Sequence, residues 1–318
     1  MVNGSFVMKQ EKINQKIKRY KKYKKKVVNE ALKIRNVSFH KMIHPFLCGV
    51  LTVKRTLLRQ RISIVKDEST IIVNRPVIYA VTHIGRYDFE MVMEAIKKFF
   101  YALSGDWELM YGTIDDYFFR VNGAIYVDTE DKEDRGQTYE YIVAALRQGI
   151  PILWCPEGIW NISDHLPMLN LYSGIIRAAI ATDTDIVPIA VDQRGKEFYI
   201  SIGKNVKAKN LPDDKQIALR DIMATLKWEI WESFPVEKRS EIPVDYYQNF
   251  LKDRIREWPQ FNLEIIKHRE YKDKNVTSPD EAFEFFNNLK PTTANLFLFM
   301  KTEAFIKKYI SESEFIKK

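Results

Sequence analysis

A histidine and an aspartate lie five residues apart in Thr82–Asp88, directly after the apolar run Val77–Val81. The run predicts a buried strand, and the apolar spacing after Asp88 predicts a helix. In an open α/β sheet, ligands bind where a strand ends and the next helix begins. There His83 can take a proton from a hydroxyl near neutral pH, while Asp88 accepts the other ring N–H and stabilises the imidazolium. The pattern indicates general-base catalysis, and a structural loop histidine is the alternative.

A second polar cluster, Cys155-Pro156-Glu157-Gly158, comes at the end of the apolar run Ile152–Cys155. If this strand is parallel to Val77–Val81, Glu157 faces the same crevice as His83. Gly158 allows a backbone to approach a ligand closely. The alternative is a common Pro-Gly turn with a solvated acid.

Two further segments complete an ordered set of four. Asn122–Asp128 is a glycine turn into a strand, and Ile186–Val191 is an apolar strand with a Val-Pro pair. In this order, over about residues 76–192, the set resembles the glycerolipid acyltransferase superfamily, which includes 1-acylglycerol-3-phosphate acyltransferases. That family has an H-x-x-x-x-D block, a glycine-led aromatic strand, a Pro-Glu-Gly block and a Val-Pro strand.

The resemblance implies that His83 is the general base and Asp88 its partner. It also implies an acyl-chain tunnel in an α/β core and a thioester donor, acyl-CoA or acyl carrier protein, with no bound cofactor and no metal. The acceptor is a hydroxyl of a lipid or glycolipid. The candidate substrate-binding residues in and beside the four blocks are Glu157, Gly158, Trp160, Arg86 and Gly123.

The chain departs from the family at two positions where the family places arginines on the acceptor's phosphate. Thr129 and Trp160 stand there instead. Neither can copy the bidentate contact of a guanidinium with phosphate. Trp160 offers an apolar face suited to a sugar ring, which favours an acceptor without a phosphomonoester. The alternative is a lysophosphatidate acyltransferase with a relocated phosphate site, supplied by Arg86, Arg120 or Arg135.

Strands and helices alternate after residue 62, which predicts an α/β fold with a mixed or mostly parallel sheet. We expect an N-terminal segment over residues 1–61, an acyltransferase domain over 62–235 and a helical C-terminal extension over 236–318. The predicted elements are helices 9–35, Phe39–Arg61, Phe89–Phe100, Ser173–Ala181 and Asp213–Phe234, and strands Val77–Val81, Ala124–Val127, Ile152–Cys155, Ile186–Val191 and Phe198–Ile202.

Positive charge is concentrated at the start of the chain. Residues 1–41 hold thirteen Lys or Arg against two Glu, a net of +11, whereas the whole chain carries +8. The stretch 9–35 has one apolar stripe that includes Ile13, Ile17 and Tyr20, which suits the plane of an anionic membrane. A helix packed on its own core is the alternative. We therefore expect a two-helix membrane-docking segment and a cytoplasmic protein, peripheral on the inner face of the cell membrane.

Other function classes fit the sequence less well. The basic arm is rich in lysine and poor in arginine, and no nucleic-acid module is recognisable, so no nucleic-acid partner is expected. The two cysteines, Cys48 and Cys155, form no metal or redox spacing. A catalytically idle, membrane-binding member of the same fold is the main alternative to an enzyme.

Overall fold

The computed structural model describes most of the chain before residue 234. The described residues are 15, 18–24, 37–70, 75–85, 87–105, 111, 114–129, 131–158, 161, 167–169 and 171–233. Arg86, Trp160, the predicted extension 236–318 and most of the predicted helix 9–35 lie outside them.

Strands and helices alternate through the described residues. The strands are β1 Arg61–Asp67, β2 Val77–Val81, β3 Tyr101–Ser104, β4 Ala124–Tyr126, β5 Ile152–Trp154, β6 Asp185–Arg194 and β7 Glu197–Ile202. The α-helices are α1 Val37–Leu57, α2 Asp88–Ile96, α3 Ile114–Asn122, α4 Lys132–Arg147, α5 Gly174–Thr182 and α6 Lys215–Glu232, with a 3-10 turn at Ala208–Asn210.

All seven of these strands form one sheet in the order β1-β7-β6-β2-β5-β3-β4. The five strands from β6 to β4 run parallel to one another. β7 is antiparallel to β6, and β1 is parallel to β7. The predicted α/β class with a mixed sheet is confirmed. Because parallel neighbours need crossover connections, helices lie between most of these strands along the chain.

The sheet lies between two helical layers, and successive side chains of its central strands point to opposite layers. On β2, Ile78 and Ala80 pack with the cluster that includes α4, α5 and α6. Val77 and Val81 pack with the cluster that includes α1 and α2. Since both faces are covered, a central strand is apolar without alternation, which is why the run could be recognised in the sequence.

Two helices end earlier than the apolar spacing predicts. α2 stops at Ile96 because Lys97 adopts a left-handed conformation, with φ 49°, and its N–H bonds to the Met93 carbonyl. The apolar residues that follow lead into β3, a strand that the periodicity did not predict. Similarly, α1 ends at Leu57, and Arg59 has φ 57° just before β1 begins at Arg61.

Residues 18–24 of the basic N-terminal stretch are helical and pack on the protein's own body. Tyr20 is only 3% exposed. The Lys24 ammonium donates to the Tyr126 carbonyl, to Thr138 Oγ1 at 2.6 Å and to Asp134 Oδ2 at 3.0 Å. Burial lowers the pKa of Lys24, and Asp134 opposes that shift. These seven residues therefore follow the alternative that the sequence left open, a helix packed on the core.

Candidate active site

The crevice lies at the carboxyl ends of β2 and β5. These strands are adjacent and parallel, with Ala80 opposite Trp154. The loop that follows β2 carries His83, and the loop that follows β5 carries Glu157. The sequence placed both residues in one crevice on the condition that the two strands are parallel, and this condition holds.

The imidazole of His83 is held by the first residue of α2. His83 Nδ1 lies 2.9 Å from Asp88 Oδ2. The same oxygen accepts the backbone N–H groups of Ile84 at 2.6 Å and Gly85 at 2.9 Å. Asp88 is 1% exposed, so its carboxylate is removed from water and bound by three donors. A carboxylate beside Nδ1 favours the tautomer that carries its proton there and leaves Nε2 as the basic nitrogen.

Glu157 is fully buried behind the His83 backbone. Its Oε1 accepts the N–H of His83 at 2.9 Å, and its Oε2 accepts the N–H of Leu169 at 2.9 Å. Burial raises the pKa of Glu157 to about 7, although the N–H groups of Leu169 and His83 and the charge of Lys227 act in the opposite direction. The carboxyl group therefore links two loops at the bottom of the crevice.

The raised pKa of Glu157 predicts that the free energy of unfolding depends on pH. The folded-state pKa of about 7 lies above the ordinary value of 4.5, so the folded protein binds more protons between these two values. The contribution of Glu157 to the free energy of unfolding is fully present below pH 4.5 and is lost as the pH rises through 7. The loss is about 3 kcal/mol in unfolding free energy.

Denaturant unfolding of the wild type and of Glu157→Gln at several pH values between 5 and 8 measures this loss. The difference between the two proteins isolates the carboxyl group from every other titrating group. We expect the wild type to weaken relative to the variant as pH rises. A difference that does not change with pH would contradict the prediction.

The two glycines among the candidates occupy different edges of the sheet. Gly158, in the loop after β5, has φ 71°, and a Cβ there would come within 2.4 Å of the Tyr172 ring. Gly123 precedes β4 and therefore lies at the amino edge, away from the carboxyl edge that carries His83. Its φ is 107°, and a Cβ would come within 2.1 Å of the Tyr101 ring. Close packing against Tyr101 therefore explains why position 123 is a glycine, and the structure does not place Gly123 near His83.

Two of the three arginines considered as phosphate ligands are engaged with the protein itself. Arg120 Nε lies 2.8 Å from the buried carboxylate of Asp116, and its guanidinium lies over the Tyr111 ring at 5.5 Å. Arg135 donates to the carbonyl of Thr129, at one of the two positions where the family has arginine. Arg86 and Trp160 lie outside the described residues.

An apolar cavity of about 240 Å³ lies between α1, α2 and α3. Its lining includes Leu47, Leu51, Phe89, Met93, Phe100 and Phe119. Phe89 connects it with the crevice, because its ring contacts His83 at 5.8 Å and Phe119 at 5.5 Å between centroids. From the sequence alone, Phe89 is one apolar residue of a predicted helix face. Its position directly after Asp88 was the one sign of a closer role.

The acyltransferase family model matches residues 61–192. The match identifies these residues as an acyltransferase domain. The solved structure of the 1-acyl-sn-glycerophosphate acyltransferase PlsC from Thermotoga maritima has a similar fold, with a TM-score of 0.50 and 13% sequence identity. The alignment covers 65% of this chain and 88% of PlsC. No curated protein matches the chain.

The sheet extends beyond the residues that the family model matches. β7 and α6 follow residue 192, and β7 pairs with both β6 and β1. None of the helices in the described part of the chain combines the length and apolar character needed to cross a bilayer.

Proposed function

We propose that this acyltransferase moves a fatty acyl group from acyl-CoA or acyl carrier protein to a hydroxyl of a lipid or glycolipid, with His83 as the general base. The observation that carries the proposal is the 2.9 Å contact between His83 Nδ1 and Asp88 Oδ2 at the carboxyl edge of an acyltransferase domain. A catalytically idle member of the fold has no need to keep this pair.

The proposed reaction requires no covalent intermediate with the protein. His83 Nε2 takes the hydroxyl proton as the acceptor oxygen attacks the thioester carbonyl. The buried Asp88 carboxylate stabilises the imidazolium that forms. When the tetrahedral intermediate collapses, the C–S bond breaks and the departing thiolate takes the proton from His83. The products are an ester and a thiol, and the enzyme is unchanged.

The apolar cavity beside Phe89 supplies a site for the acyl chain in this proposal. It lies on the α1, α2 and α3 side of the sheet and borders the His83 ring through Phe89. A chain that enters there leaves water, which is favourable by about 0.8 kcal/mol per methylene group. The thioester carbonyl would then lie near the crevice, where the acceptor oxygen meets it.

The acceptor proposed here lacks a phosphomonoester at its reacting end. A phosphate in a buried pocket needs fixed cations, because removing a dianion from water without them is costly. Thr129 replaces one family arginine, and Arg120 and Arg135 already bind protein groups. Trp160 replaces the other arginine and suits the apolar face of a sugar. The acceptor class that follows is a neutral glycolipid or a glycan precursor.

A side-by-side assay tests both the activity and the acceptor class. Purified protein receives one acyl thioester with either a neutral glycolipid or lysophosphatidate, and the released thiol and the acylated product are measured. We expect acceptor-dependent turnover with the glycolipid, well above that with lysophosphatidate. Robust turnover of lysophosphatidate that is lost in Arg86→Ala would show a relocated phosphate site. If neither acceptor of this panel supports turnover, the proposal fails.

Membrane attachment is proposed from the outward side of α1. Phe39, Met42, Phe46, Val53 and Leu57 are exposed and recur at three-, four- and seven-residue intervals, which places them on one helix face. Tyr117 and Phe118 on α3, which packs on α1, are exposed as well. With the net charge of +11 over residues 1–41, this surface suits anionic lipid on the cytoplasmic face of the cell membrane.

A further inference from the structure

Glu157 has no carboxylate oxygen available to an acceptor in this structure. The side chain is 0% exposed. One oxygen accepts the His83 N–H and the other accepts the Leu169 N–H, each at 2.9 Å. A ligand of the acceptor would need an oxygen that faces the crevice. The Pro-Glu-Gly motif alone suggested such a ligand. In the structure, however, the Glu157 side chain is directed into the protein interior, where both of its oxygens accept backbone N–H groups.

The peptide groups on both sides of the His83 α-carbon are held by the loop that follows β5. Glu157 accepts the His83 N–H, and the N–H of Asn161 donates to the His83 carbonyl. Asp88 holds the ring of the same residue through Nδ1. The two carboxylates therefore act on different parts of one residue: Asp88 orients the imidazole, and Glu157 fixes the backbone that carries it.

We propose that Glu157 is a positioning residue for His83 and does not touch the acceptor. This inference deepens the proposed function and rests on His83 being the general base. A carboxyl group suits the task because its two oxygens accept one backbone N–H each, and these bonds are charge-assisted when the group is ionised. Catalysis is sensitive to such support, because a displacement of about 1 Å at the reacting group can cost about 10²-fold in rate.

Glutamine tests the inference because it keeps the size of the side chain and changes one acceptor into a donor. In Glu157→Gln, the amide NH2 must face the N–H of either His83 or Leu169, so one of the two bonds is lost. We expect kcat to fall about 10- to 100-fold while the KM for the acceptor stays within about twofold of the native value. The matched control is Glu140→Gln, which changes an exposed glutamate on α4. We expect this control to have native kcat and KM.

The opposite kinetic result would overturn the inference. If Glu157 bound the acceptor in ground and transition states alike, the variant would raise the acceptor KM with kcat unchanged. A variant with native kcat and KM would overturn it as well.

A measurement on the wild-type protein keeps the test independent of the variant's folding and of the acyl-transfer assay. Hydrogen exchange followed by NMR should show slow exchange for the amides of both His83 and Leu169, because Glu157 binds them away from solvent. Fast exchange of the His83 amide would overturn the inference. If these amides are protected and no acyl transfer is found, the proposed function fails and the structural role of Glu157 remains supported.

Discussion

Replacement of His83 by alanine should lower kcat/KM for acyl transfer by about 10³-fold. General-base catalysis contributes typically 10²- to 10⁴-fold, and the variant has no other imidazole on Asp88. The released thiol and the acylated product report the rate. A purified His83→Ala protein that transfers acyl groups at the native rate would remove His83 from the mechanism.

The same variant should fold and bind the donor normally. The His83 side chain binds Asp88 and contacts the Phe89 ring, and Asp88 keeps the N–H groups of Ile84 and Gly85 when the imidazole is removed. Loss of one hydrogen bond costs about 1 kcal/mol of stability. Thermal unfolding and a donor-binding measurement therefore separate a loss of chemistry from a loss of structure.

Asp88→Asn is the second variant of this experiment, and it tests the role of the negative charge beside His83. An amide oxygen in the place of Oδ2 can still accept all three bonds, so the geometry is largely kept and the negative charge is removed. The imidazolium then loses a charged partner, which is worth roughly 1.5–3 kcal/mol. We expect a decrease of about 10- to 100-fold, between the native rate and that of His83→Ala.

The sequence was most informative where a function depends on neighbours along the chain. His83 and Asp88 lie five residues apart between a strand and a helix, so the H-x-x-x-x-D spacing already implied their contact. Two short apolar runs predicted β2 and β5 as buried strands, whereas their parallel pairing was a condition that the structure then met. Each of these features depends on local spacing or on a strand buried on both faces.

Contacts between distant segments were not predictable in the same way. Glu157 lies 74 residues from the His83 amide that it accepts, and nothing in the Pro-Glu-Gly motif distinguishes a buried acceptor of backbone N–H from a ligand of substrate. Lys24 reaches Asp134 across 110 residues. The apolar spacing also made the predicted helix extend to Phe100, beyond the observed end of α2 at Ile96. Phe99 and Phe100 fit either a helix face or the residues that lead into a strand.

Serine at Met42, Phe46 and Val53 together should lower binding to anionic vesicles by about 10²-fold or more. These side chains are 68%, 65% and 60% exposed and lie on one face of α1. Moving each exposed surface from water into the interface is worth about 1 kcal/mol or more, so three contribute about 3 kcal/mol. Each 1.4 kcal/mol is a tenfold change in the binding constant. Sedimentation with lipid vesicles measures this change.

The control is Ile180→Ser with Ile217→Ser. Both isoleucines are exposed, at 37% and 39%, but they belong to α5 and α6 in the opposite helical layer. A membrane that meets the α1 face does not touch them, so this variant should sediment like the wild type. Equal loss in both variants would mean that general apolar surface, and not the α1 face, drives attachment. Native binding of the α1 variant would leave the basic residues at the start of the chain as the membrane contact, and salt would then weaken binding strongly.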